Sequence, residues 1–513
     1  MSLPSASPRT LVSTVSLLTV LAVLLAGCSV PGKDRTPLDD ATGSATAGGA
    51  PEGFERFYSQ QIEWSDCGGG FECATVEAPL SWHDADAGSI ELAVKRHPAT
   101  GESKGSLLIN PGGPGGSGIE FVTGAWGTFG SKVRAAYDVV GFDPRGVGES
   151  TPVRCFDDAR KDESLAKDFD DDDAGLAAMA QEYAAWGQAC AENTGELLGN
   201  VDTQSAAKDM DMLRAALGDE KLSYLGFSYG TQLGAAYAGL FPERVGPMVL
   251  DGAVDITLDA DGVSAGQAVG FEQALRNYVT DCQGSSTCPL SGDVDSGMKQ
   301  VREILDRALD NPYPTSSGRV VTQTLAFYGI AVTLYDQGSW GLLTQALNGV
   351  ITDGNGDVLL YLADYYNDRE ADGSFSSNSA EAFRAVGCLD SRGTTDVAQM
   401  RADAERIEEA APTVGRFFAF SGMSCADWPY PVVEQEGDLH AAGAPPIVVI
   451  GTTQDPATPY VWSQALADTL ESGVLLTYDG EGHTAYGRSN ACVMDAVDAY
   501  LVDGQVPRDG TEC

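Results

Sequence analysis

Tyr224-Leu225-Gly226-Phe227-Ser228-Tyr229-Gly230-Thr231 decides how this chain of 513 residues is read. Leu222 to Leu225 reads as a short buried strand, and Gln232 to Leu240 (QLGAAYAGL) reads as a small-residue helix. A strand that enters a helix through Gly-x-Ser-x-Gly makes a sharp turn with the serine at its apex. The apex backbone is strained, and glycines two before and two after remove the side chains that would collide there. The turn lifts the Ser228 hydroxyl clear of the sheet and sets the Tyr229 N–H where a negative oxygen would form. The bare motif also fits a Gly/Ser turn in an ordinary α/β domain. The strand–turn–helix setting makes Ser228 a candidate nucleophile.

A serine needs a base, and the chain has four histidines: His83, His97, His440 and His483. In this setting the order is Ser, then Asp or Glu, then His. His83 and His97 precede Ser228, and His440 lies in a polar approach to a strand, so these three read as surface or loop histidines. His483 follows the apolar run Gly473 to Tyr478, on a loop at a strand's C-terminal end. Between serine and histidine, the β-branched run Pro446 to Gly451 reads as a central parallel strand and leads to Asp455. Asp455 would hold the imidazole in the right tautomer and stabilise its positive form. The plainer alternative is a cap on a helix over Tyr460 to Leu470. Thr458 could bond Asp455 or its loop, or serve only as a cap.

Gly105 to Asn110 reads as another buried strand, running into Pro111-Gly112-Gly113-Pro114-Gly115-Gly116-Ser117-Gly118. A backbone that brings N–H groups against a ligand oxygen needs such glycine, and the elbow serine needs a second donor from an early loop. The N–H groups of Gly113 and Tyr229 are assigned as the oxyanion hole. A flexible loop or a phosphate cradle is the alternative, although the Gly-Lys-Ser/Thr of a P-loop is missing. Asp143 and Arg145, after the strand Tyr137 to Asp143, read as a structural turn bracing this loop. The acidic run Asp168 to Asp173 reads as a solvated helix boundary.

Residues 1 to 28 read as a leader: Arg9, an apolar core Leu11 to Leu25, then Leu25-Ala26-Gly27-Cys28. The last four residues resemble a bacterial lipoprotein signal, which implies lipidation at Cys28 and a membrane anchor on the extracytoplasmic side. A plain secretory signal is the alternative. Residues 29 to 52 read as a flexible tether. The formal charge of −43 argues against a nucleic-acid partner. Eleven cysteines less Cys28 leave ten, enough for five disulfides in an oxidising compartment. The simplest sequential pairing is Cys67–Cys73, Cys155–Cys190, Cys282–Cys288, Cys388–Cys425 and Cys492–Cys513. No Cys-x-x-Cys pair or histidine cluster occurs, so no metal is expected, and no cofactor.

From about 256 to 440 amphipathic helical stretches dominate, and the parallel-strand signature returns only at Pro446. This predicts an α/β core in two parts, 53–255 and 441–513, with a mainly helical cap at 256–440 over the site.

Together, NPGGPGGSG, FDPRGVGES, GFSYGT and DPATP…GH resemble the secreted tripeptidyl aminopeptidases of actinomycetes, in the proline iminopeptidase group of α/β-hydrolases. The mycobacterial cell-envelope serine peptidases look similar. The resemblance covers roughly residues 55 to 513. It implies an α/β-hydrolase fold, with a mostly parallel central sheet flanked by helices and a helical lid. It also implies removal of short peptides from free N-termini, with Ser228 as nucleophile, Asp455 as acid, His483 as base, and Gly113 with Tyr229 as oxyanion donors. The loop departs from the proline iminopeptidases, which carry His before Gly-Gly-Pro-Gly where this chain has Pro111 after Asn110; single-proline specificity is therefore not implied. Family logic also places an acidic group for the substrate amine in the cap. Glu272 is the candidate, against the alternative of a solvated helix face. A carboxylesterase or lipase on the same scaffold is the competing function, since a triad serves esters and amides alike. A vestigial binding protein is the third.

Overall fold

The computed structural model describes residues 49–513; Cys28, the leader and residues 29–48 of the tether lie outside them. Its twelve strands are β1 Ser65–Gly68, β2 Phe71–Ser81, β3 Asp84–His97, β4 Ser106–Asn110, β5 Asp138–Phe142, β6 Leu222–Phe227, β7 Val245–Asp251, β8 Tyr313–Pro314, β9 Val320–Val321, β10 Ile447–Gln454, β11 Gly473–Glu481 and β12 Thr511–Glu512. Ten form one sheet in the order β1-β2-β3-β5-β4-β6-β7-β10-β11-β12, and β8 with β9 makes a small separate pair. The first three pair antiparallel, β3 meets β5 antiparallel, and the rest run parallel.

Parallel strands are covered on both faces, so their residues alternate between two buried sides. Leu108, Val140, Tyr224, Leu250, Ile447 and Val449 enter one apolar cluster. Leu107, Ile109, Val139, Leu225, Val249 and Val448 enter the other. Each such side chain, fully buried, is worth roughly 1.5–3 kcal/mol, which holds the central strands in place. All their C-terminal ends lie along one edge. The register sets Asn110 beside Gly226, Phe227 beside Asp251, and Gln454 beside Glu481. Ligands bind beyond this edge in open α/β sheets.

Between β7 and β10 the helices Ala260–Gln283, Val294–Asp310, Gln323–Leu334, Trp340–Asn348 and Asp357–Tyr366 bury a cluster of their own, which includes Leu275, Val301, Ile330 and Leu359. The helix Ser379–Asp390 also falls in this interval, but its Ala385, Val386 and Leu389 pack into the sheet's cluster. That stretch therefore serves the α/β core rather than the cap's own core. The acidic run also differs from its sequence reading. Asp172 caps the helix Asp173–Thr194, but Asp168 accepts the backbone N–H groups of Gln323 and Thr324 at 2.9 and 2.8 Å. These are donors with no partner inside their own helix. A charge that looks solvated in sequence thus fastens a cap helix.

The expected five disulfide pairings are all present, Cys67–Cys73 through Cys492–Cys513. Among the described residues no helix is long and apolar enough to cross a membrane.

Candidate active site

Ser228 stands between β6 and the helix Tyr229–Leu240 with φ 55° and ψ −126°. A non-glycine residue held there stores strain of about 1–3 kcal/mol, which the surrounding structure must enforce. The enforcement is visible. Ser228 N–H donates to the Asp251 carbonyl at 2.9 Å, and Thr231 Oγ1 donates to the Ser228 carbonyl at 2.6 Å. A Cβ on Gly226 would stand 2.3 Å from the Gly230 carbonyl oxygen, so the turn closes only around hydrogen.

The glycine-rich loop after β4 lies directly on this turn. Gly112 has φ +96°, and a Cβ there would meet Phe227 O at 2.5 Å, Ser228 Cβ at 2.9 Å and Tyr229 N at 3.0 Å. Gly112 N–H donates to Asn110 Oδ1 at 2.9 Å, which pins the loop from its own strand end. The Tyr229 N–H opens its helix and so has no acceptor within it. Gly113 follows in the same loop with φ +115°. Asp143 braces the far side, accepting Ser117 Oγ at 2.7 Å, Ile119 N at 3.2 Å and Glu149 N at 2.8 Å. Arg145 is wholly buried in a two-point pair with Asp209, at 2.6 and 2.7 Å. Gly112→Ala is expected to push the loop off the elbow and lower kcat about 10²–10³-fold, the effect of losing one oxyanion donor, with a smaller change in KM. Steady-state kinetics on an activated ester checks this.

Asp455 and His483 meet across the ends of β10 and β11. His483 Nδ1 lies 2.9 Å from each Asp455 oxygen. The carboxylate also accepts Ala457 N at 2.9 Å, Thr458 N at 2.8 Å and Thr484 N at 3.1 Å, so it is both loop anchor and imidazole partner. The Tyr460–Thr469 helix begins after Pro459 with no side-chain cap. Thr458 Oγ1 lies 3.3 Å from Nδ1. A carboxylate on Nδ1 keeps the proton on that nitrogen and leaves Nε2 free to accept one from a hydroxyl. The imidazole Cε1 lies over Gly252, 3.2 Å from where a Cβ would be, and Gly252 follows the residue that holds Ser228 N–H. The imidazole thus reaches back over the end of β7, the strand next to the one that carries Ser228.

The other histidines stand elsewhere. His83 and His440 are exposed, and His97 stacks on Trp126 at 3.7 Å. Glu272 is buried, with its carboxylate accepting Thr413 N and Oγ1 at 2.9 Å each and Val414 N at 3.1 Å. Those bonds tie two cap segments together and occupy both oxygens.

Three features of the site escaped the sequence reading. Tyr335, at the end of the helix Gln323–Leu334, accepts His483 N–H on its carbonyl at 2.9 Å and sets its ring edge-on to the imidazole at 5.4 Å. Burial pushes its phenol up to about 12. The Tyr229 hydroxyl meets Thr203 Oγ1 at 2.5 Å, and Thr203 donates to Asp390 Oδ2 at 2.5 Å; burial raises the Asp390 carboxyl to about 7. The third is Asp251, wholly buried beside the His483 loop. It ends an apolar run, as Asp455 nearly does, and that was the available signal.

Comparison with known proteins fits this geometry. The chain is 38% identical over 488 residues to "Serine protease Hip1" of Mycobacterium tuberculosis, covering 91% of this chain and 93% of that protein. It is 30% identical over 474 residues to the "Tripeptidyl aminopeptidase" of Streptomyces lividans, covering 88% and 86%. The family described as "TAP-like protein" matches residues 411–513, the stretch that holds Asp455 and His483. The chain belongs to the TAP-like α/β-hydrolases. A third relative, "Carboxylesterase B" of M. tuberculosis, is 37% identical over 515 residues, covering 97% and 98%. This TAP-like chain is a serine hydrolase with an α/β-hydrolase fold.

Proposed function

We propose that the protein is an extracytoplasmic serine exopeptidase that releases short peptides, tripeptides foremost, from free N-termini. The observation that carries this is the Asp455–His483 pair, set over the end of β7 beside the Asp251 carbonyl that holds Ser228 N–H, with the Gly112–Gly113 loop against Tyr229 N. Ser228 attacks the scissile carbonyl while His483 Nε2 takes its proton. The N–H groups of Gly113 and Tyr229 stabilise the oxyanion, and His483 then returns the proton to the leaving amine. Water attacks the acyl-enzyme by the same route in reverse. The protease and aminopeptidase names of two relatives support peptide substrates. The Leu25-Ala26-Gly27-Cys28 signal supports a lipid anchor at Cys28, and five disulfides suit an oxidising compartment. The contacts of Glu272 favour a structural role, so the amine-binding group of this reading is left unassigned.

A second reading, a surface carboxylesterase, is favoured by the 37% identical relative of that name. One experiment separates the two. A fluorogenic tripeptide is presented with a free and with an acetylated N-terminus, beside p-nitrophenyl butyrate, with Ser228→Ala as control. Of the two peptides only the free form is expected to be cleaved, beside turnover of the activated ester, and both activities are lost in the variant. Ester turnover with both peptides untouched would replace the peptidase with the esterase.

A further inference from the structure

Asp251 is the last residue of β7, fully buried, on the strand next to the one that carries the nucleophile. Its Oδ2 accepts Ala485 N at 3.0 Å and Tyr486 N at 2.7 Å, and its Oδ1 also lies 3.0 Å from Ala485 N. Asp455 accepts Thr484 N and His483 Nδ1. The segment from His483 to Tyr486 is therefore strung between two carboxylates, one on β7 and one after β10. Thr484 has φ +65°, a conformation unusual for a β-branched residue, and lies between the two anchors. Gly252, the residue after Asp251, has φ +67°, and a Cβ there would meet His483 Cε1 at 3.2 Å, Thr484 Cγ2 at 3.0 Å and Thr458 Oγ1 at 3.2 Å. The end of β7 thus pulls the loop in with one residue and clears space for the imidazole with the next.

We infer that Asp251 is a positioning residue for catalysis, a second carboxylate that fixes the backbone of the His483 loop and so aims the imidazole at Ser228. The inference rests on the reading of His483 as the base. The alternative is a plain structural acid, and the energetics speak against it. Burial pushes the carboxyl up to about 6, against the lowering effect of the Tyr486 and Ala485 N–H groups. The charged or titratable groups acting on it are His483, which lowers it, and Asp455, which raises it. A carboxyl raised from 3.8 favours the fold most below pH 3.8, and that contribution is lost as pH rises through about 6. At pH 8 the ionised group costs stability, while its charge strengthens the bonds to the loop N–H groups.

The test is Asp251→Asn, assayed with p-nitrophenyl butyrate from pH 5 to 9 beside His483→Ala. At pH 8 the Asn variant is expected to lose roughly ten- to a hundredfold in kcat, the scale of a small misplacement of a reacting group, with KM within about twofold. Its thermal midpoint at pH 8 is not lowered. Below pH 6 the wild-type rate falls more steeply than one protonation allows, and the variant's falls with one. An unchanged kcat and profile overturn the inference. So does a loss of kcat that tracks a lowered midpoint. If His483→Ala stays active, the reading of the base fails instead, whatever Asp251→Asn does. Should the Asn variant not fold, hydrogen exchange in the native protein decides. Corrected for intrinsic rates, the 483–486 amides are expected to exchange faster below pH 6 while β7 is unchanged; equal protection across that range overturns the inference.

Discussion

Ser228→Ala is expected to lower kcat by about 10⁴–10⁶-fold on any substrate the enzyme turns over, with KM little changed. The hydroxyl is the only group removed. The strained backbone is held by Ser228 N–H to Asp251 O and by Thr231 Oγ1 on the Ser228 carbonyl, and neither bond uses the side chain. Alanine therefore keeps the elbow, and circular dichroism and the thermal midpoint should match the wild type. His483→Ala is expected to cost a similar factor, and the double variant little more than either alone, because nucleophile and base act as one unit. Additive losses in the double variant would separate the two residues and break the mechanism at its first step. Residual turnover in both variants would then reflect the proposed oxyanion donors, which the substitutions leave in place.

The second large effect belongs to Asp455→Asn, expected to reduce kcat by about 10⁴-fold. The carboxylate accepts from four donors: Nδ1 of His483 and the N–H groups of Ala457, Thr458 and Thr484. An amide cannot accept on both ends. With its oxygen toward the Ala457 and Thr458 N–H groups, its NH2 takes the place of the oxygen that accepted Thr484 N, so Nδ1 keeps one acceptor at 2.9 Å and meets a donor where the second stood. The imidazole is then driven to carry its proton on Nε2, where it cannot take one from Ser228. A stability loss of about 1–3 kcal/mol goes with the crowded donor at Thr484. Measuring kcat and the thermal midpoint on one preparation separates the two effects. A variant within tenfold of wild type would remove Asp455 from the triad.

The strand-end placement of Ser228, Asp455 and His483 was legible because each follows an apolar run that reads as a buried strand. Parallel strands deliver their C-terminal ends to one edge, so order along the chain became proximity in space. The glycine loop was legible for a related reason: Gly112 must touch Phe227 O, and only a residue without Cβ can. Asp251 was passed over although it too ends an apolar run. Its partners, Ala485 and Tyr486, lie 234 and 235 residues further on, and no local pattern announces such a bond. Glu272 failed the other way. In a chain of 74 acidic residues its charge carried no information, and its contact with Thr413 spans 141 residues. Asp168 looked solvated for the same reason, though it secures Gln323 and Thr324. The strand-end chemistry was written locally; the polar ties between distant segments were not.

The most direct measurement is peptide mapping by mass spectrometry after the enzyme is treated with a fluorophosphonate. The account predicts one adduct per chain, on the Ser228 hydroxyl, formed as fast as activity is lost and absent from Ser228→Ala and His483→Ala. An adduct on another serine, or equal labelling of Ser228→Ala, would contradict it.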